Sequence, residues 1–158
     1  AEVQERIIQE TYFACEKLGV YLEGTLLKPS MTCCGAECPD KVTPKDVACK
    51  TIDVMLKSVP EEVAGIVFLS GGLSEEAASI YLSEMNNVVN VTPWTVSFSY
   101  GRALQHSCLK AWAGSNIPAG QAALIARAQA NSEASRGIYV PNSQPSSDEK
   151  LFVAGYTY

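Results

Sequence analysis

The chain has 158 residues, with 12 basic and 17 acidic side chains and a formal net charge of −5. This length suits one domain with a buried core, and the acidic balance without a basic cluster argues against nucleic acid or an anionic membrane as a partner. No apolar run approaches the roughly 20 residues of a membrane helix, and the amino end, AEVQERIIQE, has no secretory pattern. We therefore expect a cytoplasmic protein.

The first two predicted elements are a helix and a strand. Residues 2–18 place apolar side chains at helical spacing, and Gly19 follows as a natural stop. Residues 20–28 form a short apolar run, and Pro29 favours extended geometry at Lys28. The pattern predicts a buried strand that delivers Lys28 to its carboxyl end.

Lys28 is a candidate nucleophile. An ammonium at a strand end beside apolar walls loses hydration, which makes a free amine available to attack a carbonyl and form a Schiff base. The alternative is a lysine that only extends from the strand end into water.

A long loop and a second helix follow. The loop is rich in Ser, Thr, Cys, Gly and Pro and runs to about residue 42, which is long enough for a functional loop. Thr43, Pro44 and Asp46 have the spacing of a capped helix start, and an apolar face continues up to Pro60.

Two more strand-to-helix units repeat the pattern. Residues 65–69 form an apolar strand, and a helix begins at Ser74 with Glu75 and Glu76 in its first turn. Residues 94–98 form the next strand, followed by a helix over about 102–113 that Gly114 stops, and by a last helix over about 119–135.

The carboxyl end has a different composition. Residues 138–158 form a polar tail that ends in the apolar sequence LFVAGYTY. We expect residues 1–137 to form the folded part, the tail to be flexible, and residues 151–158 to dock on the body.

Alternation of strands and helices predicts an α/β fold with parallel strands joined by right-handed crossovers. Three strands cannot close a barrel, which leaves two interpretations: a small open α/β sheet, or the last three βα units of a (β/α)8 TIM barrel that is incomplete in this chain. The second fits better, because the chain starts inside a helix without methionine, and because barrels often build a phosphate site from the loops after their last two strands.

The predicted strand ends carry residues suited to a sugar phosphate. Ser70 and Gly71 offer a hydroxyl and close backbone N–H groups, and Gly101 and Arg102 offer backbone N–H groups with a guanidinium fork. Each motif alone is more often an ordinary turn or a solvated arginine. Because parallel strands end at one face, we expect these residues and Lys28 to share a pocket, with an amine for a ketone and a cradle for a phosphate.

Six cysteines and one histidine are the residues from which a soft-metal site could be built. None of the cysteines has C-x-x-C spacing, and the cluster Cys33, Cys34 and Cys38 lacks the paired or histidine ligands that zinc sites use. We expect reduced thiols, no metal and no cofactor; the alternatives are that this cluster holds zinc or oxidises.

Three stretches resemble the class I (Schiff-base) fructose-bisphosphate aldolase family, in the family's order and at its separations: EGTLLKP at 23–29, FLSGGLSEE at 68–76 and SFSYGRALQ at 97–105. The resemblance continues to the end of the chain but covers only the C-terminal portion of the family's length. It implies a lyase of glycolysis and gluconeogenesis that reversibly cleaves fructose 1,6-bisphosphate into dihydroxyacetone phosphate and glyceraldehyde 3-phosphate.

The resemblance also implies roles for individual residues. Lys28 forms the imine, the terminal Tyr158 assists proton transfer, and the ketose phosphate is bound by Ser70, Gly71, Gly101 and Arg102. Tyr158 could instead be a frayed end.

The sequence offers few candidates for a catalytic acid or base. Strand alternation turns Glu23 away from Lys28, and His106 is expected to pack or to lie on the surface rather than act as a base. The family takes its principal carboxylates and a second catalytic lysine from earlier strands, and no segment here matches them.

The missing segments leave three interpretations open. The resemblance implies that the parent protein is a homotetrameric aldolase, and we expect the isolated 158-residue chain to be inactive or weakly active. The alternatives are a non-catalytic sugar-phosphate-binding or interaction fragment, and another Schiff-base lyase on the same barrel.

Overall fold

Strands and helices alternate along residues 1–35, 38, 42–88 and 92–152, which are the residues that the computed structural model describes. The helices are α1 (Glu2–Lys17), α2 (Pro44–Ser58), α3 (Glu75–Val88), α4 (Arg102–Trp112) and α5 (Ile117–Ala134). The strands are β1 (Leu26–Leu27), β2 (Gly65–Phe68) and β3 (Thr95–Phe98).

The three strands form one parallel sheet in the order β1-β2-β3. Leu26 lies opposite Gly65 in the first pair, and Gly65 lies opposite Thr95 in the second. The central strand is the most buried, with Ile66 and Phe68 completely covered. The predicted α/β class and parallel strands are confirmed, and the carboxyl ends of all three strands lie along one edge of the sheet.

The predicted strand over residues 20–28 is wrong in its first part. Residues Leu22–Gly24 form a 3-10 turn, in which Gly24 N donates to Tyr21 O and Thr25 N donates to Leu22 O. The Tyr21 ring packs onto this turn so closely that a Cβ on Gly24 would lie 2.7 Å from it. The apolar run therefore combines a turn with a two-residue edge strand, and Lys28 still follows that strand directly.

Helix starts follow the local signals in the sequence. Thr43 Oγ1 accepts a hydrogen bond from Asp46 N, and the Asp46 carboxylate accepts one from Thr43 N, which together form a capping box. Ser74 Oγ accepts from Ala77 N in the same way at the start of α3. Helix α5 starts two residues before the predicted position, because the side chain of Asn116 caps it.

The core lies where the sheet, α2 and α3 meet. Helix α3 also packs against α4 and α5, so it is the central helix of the described chain. The largest fully buried apolar side chains are Met55, Phe68, Leu82, Met85, Ile66 and Val54. Within the described ranges, no helix combines the length and apolar character needed to cross a membrane.

Candidate functional site

The turns that follow β1, β2 and β3 surround one cavity of about 410 Å³. Its lining residues are Lys28, Leu69, Ser70, Gly71, Ser99, Gly101 and Arg102. Five of the six predicted site residues are thus brought together. The sixth, Tyr158, lies outside the described residues.

Backbone pairing holds these turns in register. Leu69 N donates to Pro29 O at 3.0 Å, and Ser99 N donates to Phe68 O at 2.9 Å, so pairing continues one residue beyond β2 and β3. Gly71 then adopts a φ of +53°, in the left-handed region that favours glycine. The turn after β2 therefore leaves the sheet abruptly, beside the start of α4.

Ser70 links the turn after β2 to α4. Its side chain is buried, and its Oγ accepts a hydrogen bond from Ala103 N at 3.4 Å, in the first turn of that helix. Gly101 is the residue that precedes α4, and its carbonyl accepts from Leu104 N and Gln105 N. The cavity therefore faces the amino end of a helix, where the partial positive charge of the backbone favours an anion.

Arg102 is half-buried at the cavity and contacts the last described residues of the chain. Its Nη1 donates to Leu151 O at 2.5 Å, and Leu151 N donates to Gly72 O at 3.1 Å. Phe152 packs directly on Gly72. Residues 151–152 therefore form part of the cavity rim, next to the guanidinium that the sequence assigns to phosphate.

Lys28 contributes an amine to the cavity in a different environment from the expected one. From the sequence we expected apolar walls to remove water from this amine, whereas Lys28 is exposed in the structure. Its position beside the turns after β2 and β3, rather than its burial, therefore supports the interpretation.

Two other residues considered from the sequence lie away from this cavity. Glu23 is exposed within the 3-10 turn, so strand alternation does not describe its direction. The His106 ring is half-buried and lies 3.2 Å from a carboxylate oxygen of Glu149, in agreement with a surface or packing role.

Among the described residues, the cysteines form no disulfide bonds. Cys33 lies in the loop after β1, where partial desolvation of the thiol and the neighbouring Cys34 raise the pKa of Cys33 to about 11. Such a thiol is a weak nucleophile near neutral pH, because the thiolate is the reactive form. Among the described residues, no three His, Cys, Asp or Glu side chains form a group that could hold a metal ion.

Sequence reasoning missed the residues that fix the tail at this edge. Glu75 and Glu76 are buried, and their carboxylates accept hydrogen bonds from residues beyond α5. The adjacent acids at a helix start were visible in the sequence, but they indicated only an interaction with the helix dipole.

Comparison with known proteins gives consistent matches along the chain. The family model for fructose-bisphosphate aldolase class-I matches residues 1–158. Fructose-bisphosphate aldolase B of Gallus gallus is 49% identical over 99% of this chain and 44% of its own length. The cytoplasmic isozyme of fructose-bisphosphate aldolase from Cicer arietinum is 48% identical over 100% of this chain and 45% of its own length.

A solved structure supports the same relationship. Fructose-bisphosphate aldolase from Plasmodium falciparum, in complex with TRAP and a small molecule inhibitor, superposes with a TM-score of 0.85 and 42% identity. The match covers 89% of this chain and 41% of that one, and the chain spans less than half the length of each of these relatives. The chain belongs to the class-I fructose-bisphosphate aldolase family.

Proposed function

We propose that this chain is part of a fructose-bisphosphate aldolase of glycolysis and gluconeogenesis. The enzyme reversibly cleaves fructose 1,6-bisphosphate into dihydroxyacetone phosphate and glyceraldehyde 3-phosphate through an imine on Lys28. The observation that carries this proposal is the single cavity shared by the Lys28 amine and the residues around Arg102. Family membership supports the choice of reaction.

Five of the seven lining residues have roles in this reaction. The Arg102 fork, the Ser70 hydroxyl and the backbone N–H groups of Gly71 and Gly101 bind the phosphate on the carbon beside the ketone. The Lys28 amine attacks the ketone carbon, and water leaves to give the imine.

Bond cleavage follows from the positive charge of the protonated imine. The imine nitrogen accepts the electron pair of the neighbouring carbon–carbon bond, while the hydroxyl group on the departing carbon gives its proton to a base from the rest of the parent protein. The aldehyde product departs, and an enamine remains. A proton then returns to the enamine carbon, a step that we assign to Tyr158 at the end of the chain. Hydrolysis releases the second product and restores the amine.

The fold and assembly of the whole protein are part of the same proposal. We infer that β1, β2 and β3 are the last three strands of a (β/α)8 TIM barrel, which is supported by their parallel order and by the partial coverage of the relatives. We further propose residues 138–158 as a C-terminal tail that ends in a docking segment, a homotetramer as the assembly, and the cytoplasm as the location, in line with the name of the Cicer arietinum relative.

Borohydride trapping tests the assignment of Lys28. The full-length protein is incubated with dihydroxyacetone phosphate and reduced, and the peptide that carries Lys28 is examined by mass spectrometry. We expect a stable adduct on Lys28 that disappears in Lys28→Arg and persists in Lys45→Arg, a matched change at an exposed lysine of α2. An unmodified Lys28 in an active protein would refute the mechanism.

We also propose that the 158-residue chain alone binds sugar phosphate with little or no turnover. The described lining of the cavity contains an amine, a guanidinium and hydroxyl groups, but no carboxylate to act as a base. Calorimetric binding together with an aldol cleavage assay on the purified chain tests this. Turnover comparable to that of a full-length aldolase would contradict it.

A further inference from the structure

Two adjacent carboxylates are buried at the start of α3, outside the proposed chemistry. Glu75 is 0% exposed and Glu76 is 5% exposed. Burial of a carboxylate is costly unless the charge is hydrogen-bonded or paired. The partners of these two groups therefore indicate what their burial achieves.

The described partners of the Glu76 carboxylate lie in the chain beyond α5. The carboxylate accepts from Tyr139 Oη at 2.8 Å, from Asn142 N at 2.8 Å and from Ser146 Oγ at 2.7 Å. Tyr139 is itself buried, and burial together with the Glu76 carboxylate raises its pKa to about 12, so it remains a donor at neutral pH. One carboxylate thus accepts hydrogen bonds from three residues of a segment that has no regular secondary structure.

Glu75 extends this contact to the neighbouring helices. Its carboxylate accepts from Ser107 N at 2.8 Å and Ser107 Oγ at 2.5 Å in α4, and from Ser147 N at 3.0 Å. The buried Arg127 of α5 lies 4.0 Å from the same carboxylate and donates to Glu75 O at 2.8 Å. Its positive charge offsets part of the cost of burying two acids.

The anchored segment leads directly to the cavity rim. Only four peptide steps separate Ser147 from Leu151, a reach of roughly 13 Å for extended chain. Leu151 and Phe152 then contact Gly72 and Arg102 at the rim. Fixing Ser146 and Ser147 therefore restricts where residues 151–152 can lie.

We propose that Glu76, supported by Glu75, is a positioning residue that anchors the terminal segment, defined here as residues 139–152, and thereby holds residues 151–152 at the cavity rim. Glu76 acts through this segment and contacts no reacting group. Its further effect on Tyr158, which follows the segment in the chain, rests on the proposed function.

Trypsin provides a direct measure of anchoring. The Lys150–Leu151 bond lies in the terminal segment, and Lys17–Leu18 at the exposed end of α1 is an internal control. When opening and closing are fast, cleavage at Lys150 follows the population of the released segment. Cleavage is followed by mass spectrometry on the full-length protein, with no substrate present, so failure of the imine chemistry would leave this test unaffected.

Two variants loosen the anchor to different degrees. Ser146→Ala removes one hydrogen bond to a charged group, and we expect cleavage at Lys150 to accelerate roughly tenfold. Glu76→Gln replaces one acceptor oxygen of the carboxylate with an amide NH2 group, which then faces one of the three hydrogen-bond donors. We expect a larger acceleration of cleavage at Lys150 than in Ser146→Ala. Ser143→Ala, an exposed serine of the same segment, is the matched control and should leave the rate unchanged.

The pattern of rates decides the proposal. Acceleration at Lys150 in Ser146→Ala, with an unchanged rate at Lys17 and an unchanged melting temperature, supports specific anchoring. Equal rates in Ser146→Ala and Ser143→Ala would overturn the proposal. A parallel acceleration at both bonds would also overturn it, because that result indicates a general loss of stability.

Discussion

Two neighbouring glycines at the cavity should respond in opposite ways to substitution by alanine. A Cβ on Gly72 would lie 2.8 Å from Phe152 Cβ and 3.0 Å from Phe152 Cα, while the Gly72 backbone has no left-handed φ. A Cβ on Gly71 would meet only Leu69 Cδ1, at 3.4 Å, but its φ is +53°. Gly72→Ala therefore creates a collision with the terminal segment, and Gly71→Ala creates backbone strain.

The size of each effect follows from these geometries. Carbon atoms pack at about 3.5–4.0 Å, so Phe152 must move by up to about 1 Å in Gly72→Ala, and overpacking of this kind costs about 1–3 kcal/mol. This energy weakens the docking of residues 151–152 on the rest of the chain. The fold itself gains about 0.4–1 kcal/mol, because alanine reduces the entropy of the unfolded chain. In Gly71→Ala the fold loses about 1–2 kcal/mol, since a left-handed φ is unfavourable for a residue with a Cβ.

Thermal melting and tryptic cleavage at Lys150 separate the two cases. For Gly72→Ala we expect an unchanged or slightly higher melting temperature together with roughly tenfold faster cleavage. For Gly71→Ala we expect a lower melting temperature with little specific change at Lys150. A melting temperature that falls as far in Gly72→Ala as in Gly71→Ala would refute the assignment of the clash to the terminal segment.

Three further predictions concern the helix cap, the buried tyrosine and the guanidinium. Thr43→Ala removes the capping box of α2, and we expect a loss of about 1 kcal/mol in the free energy of unfolding by urea titration; an unchanged midpoint would contradict this. Burial and the Glu76 carboxylate raise the pKa of Tyr139 from 10.0 to about 12. Between these values only the unfolded state has released the proton, so stability that is fully present below pH 10 should fall by up to about 2 kcal/mol by pH 12. Tyr139→Phe should reduce this fall in the free energy of unfolding, as measured by urea titrations at successive pH values. An equally steep fall in the variant would show that Tyr139 is not its cause. Arg102→Lys keeps the charge but loses the fork, and we expect inorganic phosphate to bind roughly tenfold more weakly by calorimetry; equal affinity would argue against phosphate binding by Arg102.

The order of the sheet and most of the cavity lining could be predicted from local sequence patterns. Alternation of strand and helix is sufficient for parallel pairing, and parallel pairing alone brings the turns after β2 and β3 to one edge. Ser70 and Arg102 were therefore predictable, because each follows its strand within a few residues. Family resemblance added the chemistry of Lys28 to this arrangement.

The extent of β1 could not be read from the same patterns. Val20 and Leu22 have the apolar character of strand residues, but Gly19 and Gly24 flank a turn in which Leu22 is buried. Short apolar runs do not distinguish an edge strand from a buried turn. In the structure, the Tyr21 ring packs on Gly24 within this turn, a contact that the local sequence pattern does not predict.

The role of Glu76 was hidden for a different reason. An acid in the first turn of a helix already has a local explanation in the helix dipole, so nothing in the nearby sequence points to burial. Its partners Tyr139, Asn142 and Ser146 lie 63, 66 and 70 residues further along the chain. Pairings at such separation depend on the complete packing of α3 against α5.

These long separations also have a consequence for the order of folding. Helix α3 packs against α2 and the sheet through nearer contacts, whereas Glu75 and Glu76 acquire their last partners only after α5 and the chain beyond it have formed. Until then, we expect both carboxylates to keep part of their hydration. Docking of the terminal segment is therefore expected late, after the main barrier, because contacts that close long loops are slow to form. Substitutions in that segment should accelerate unfolding while leaving the folding rate nearly constant.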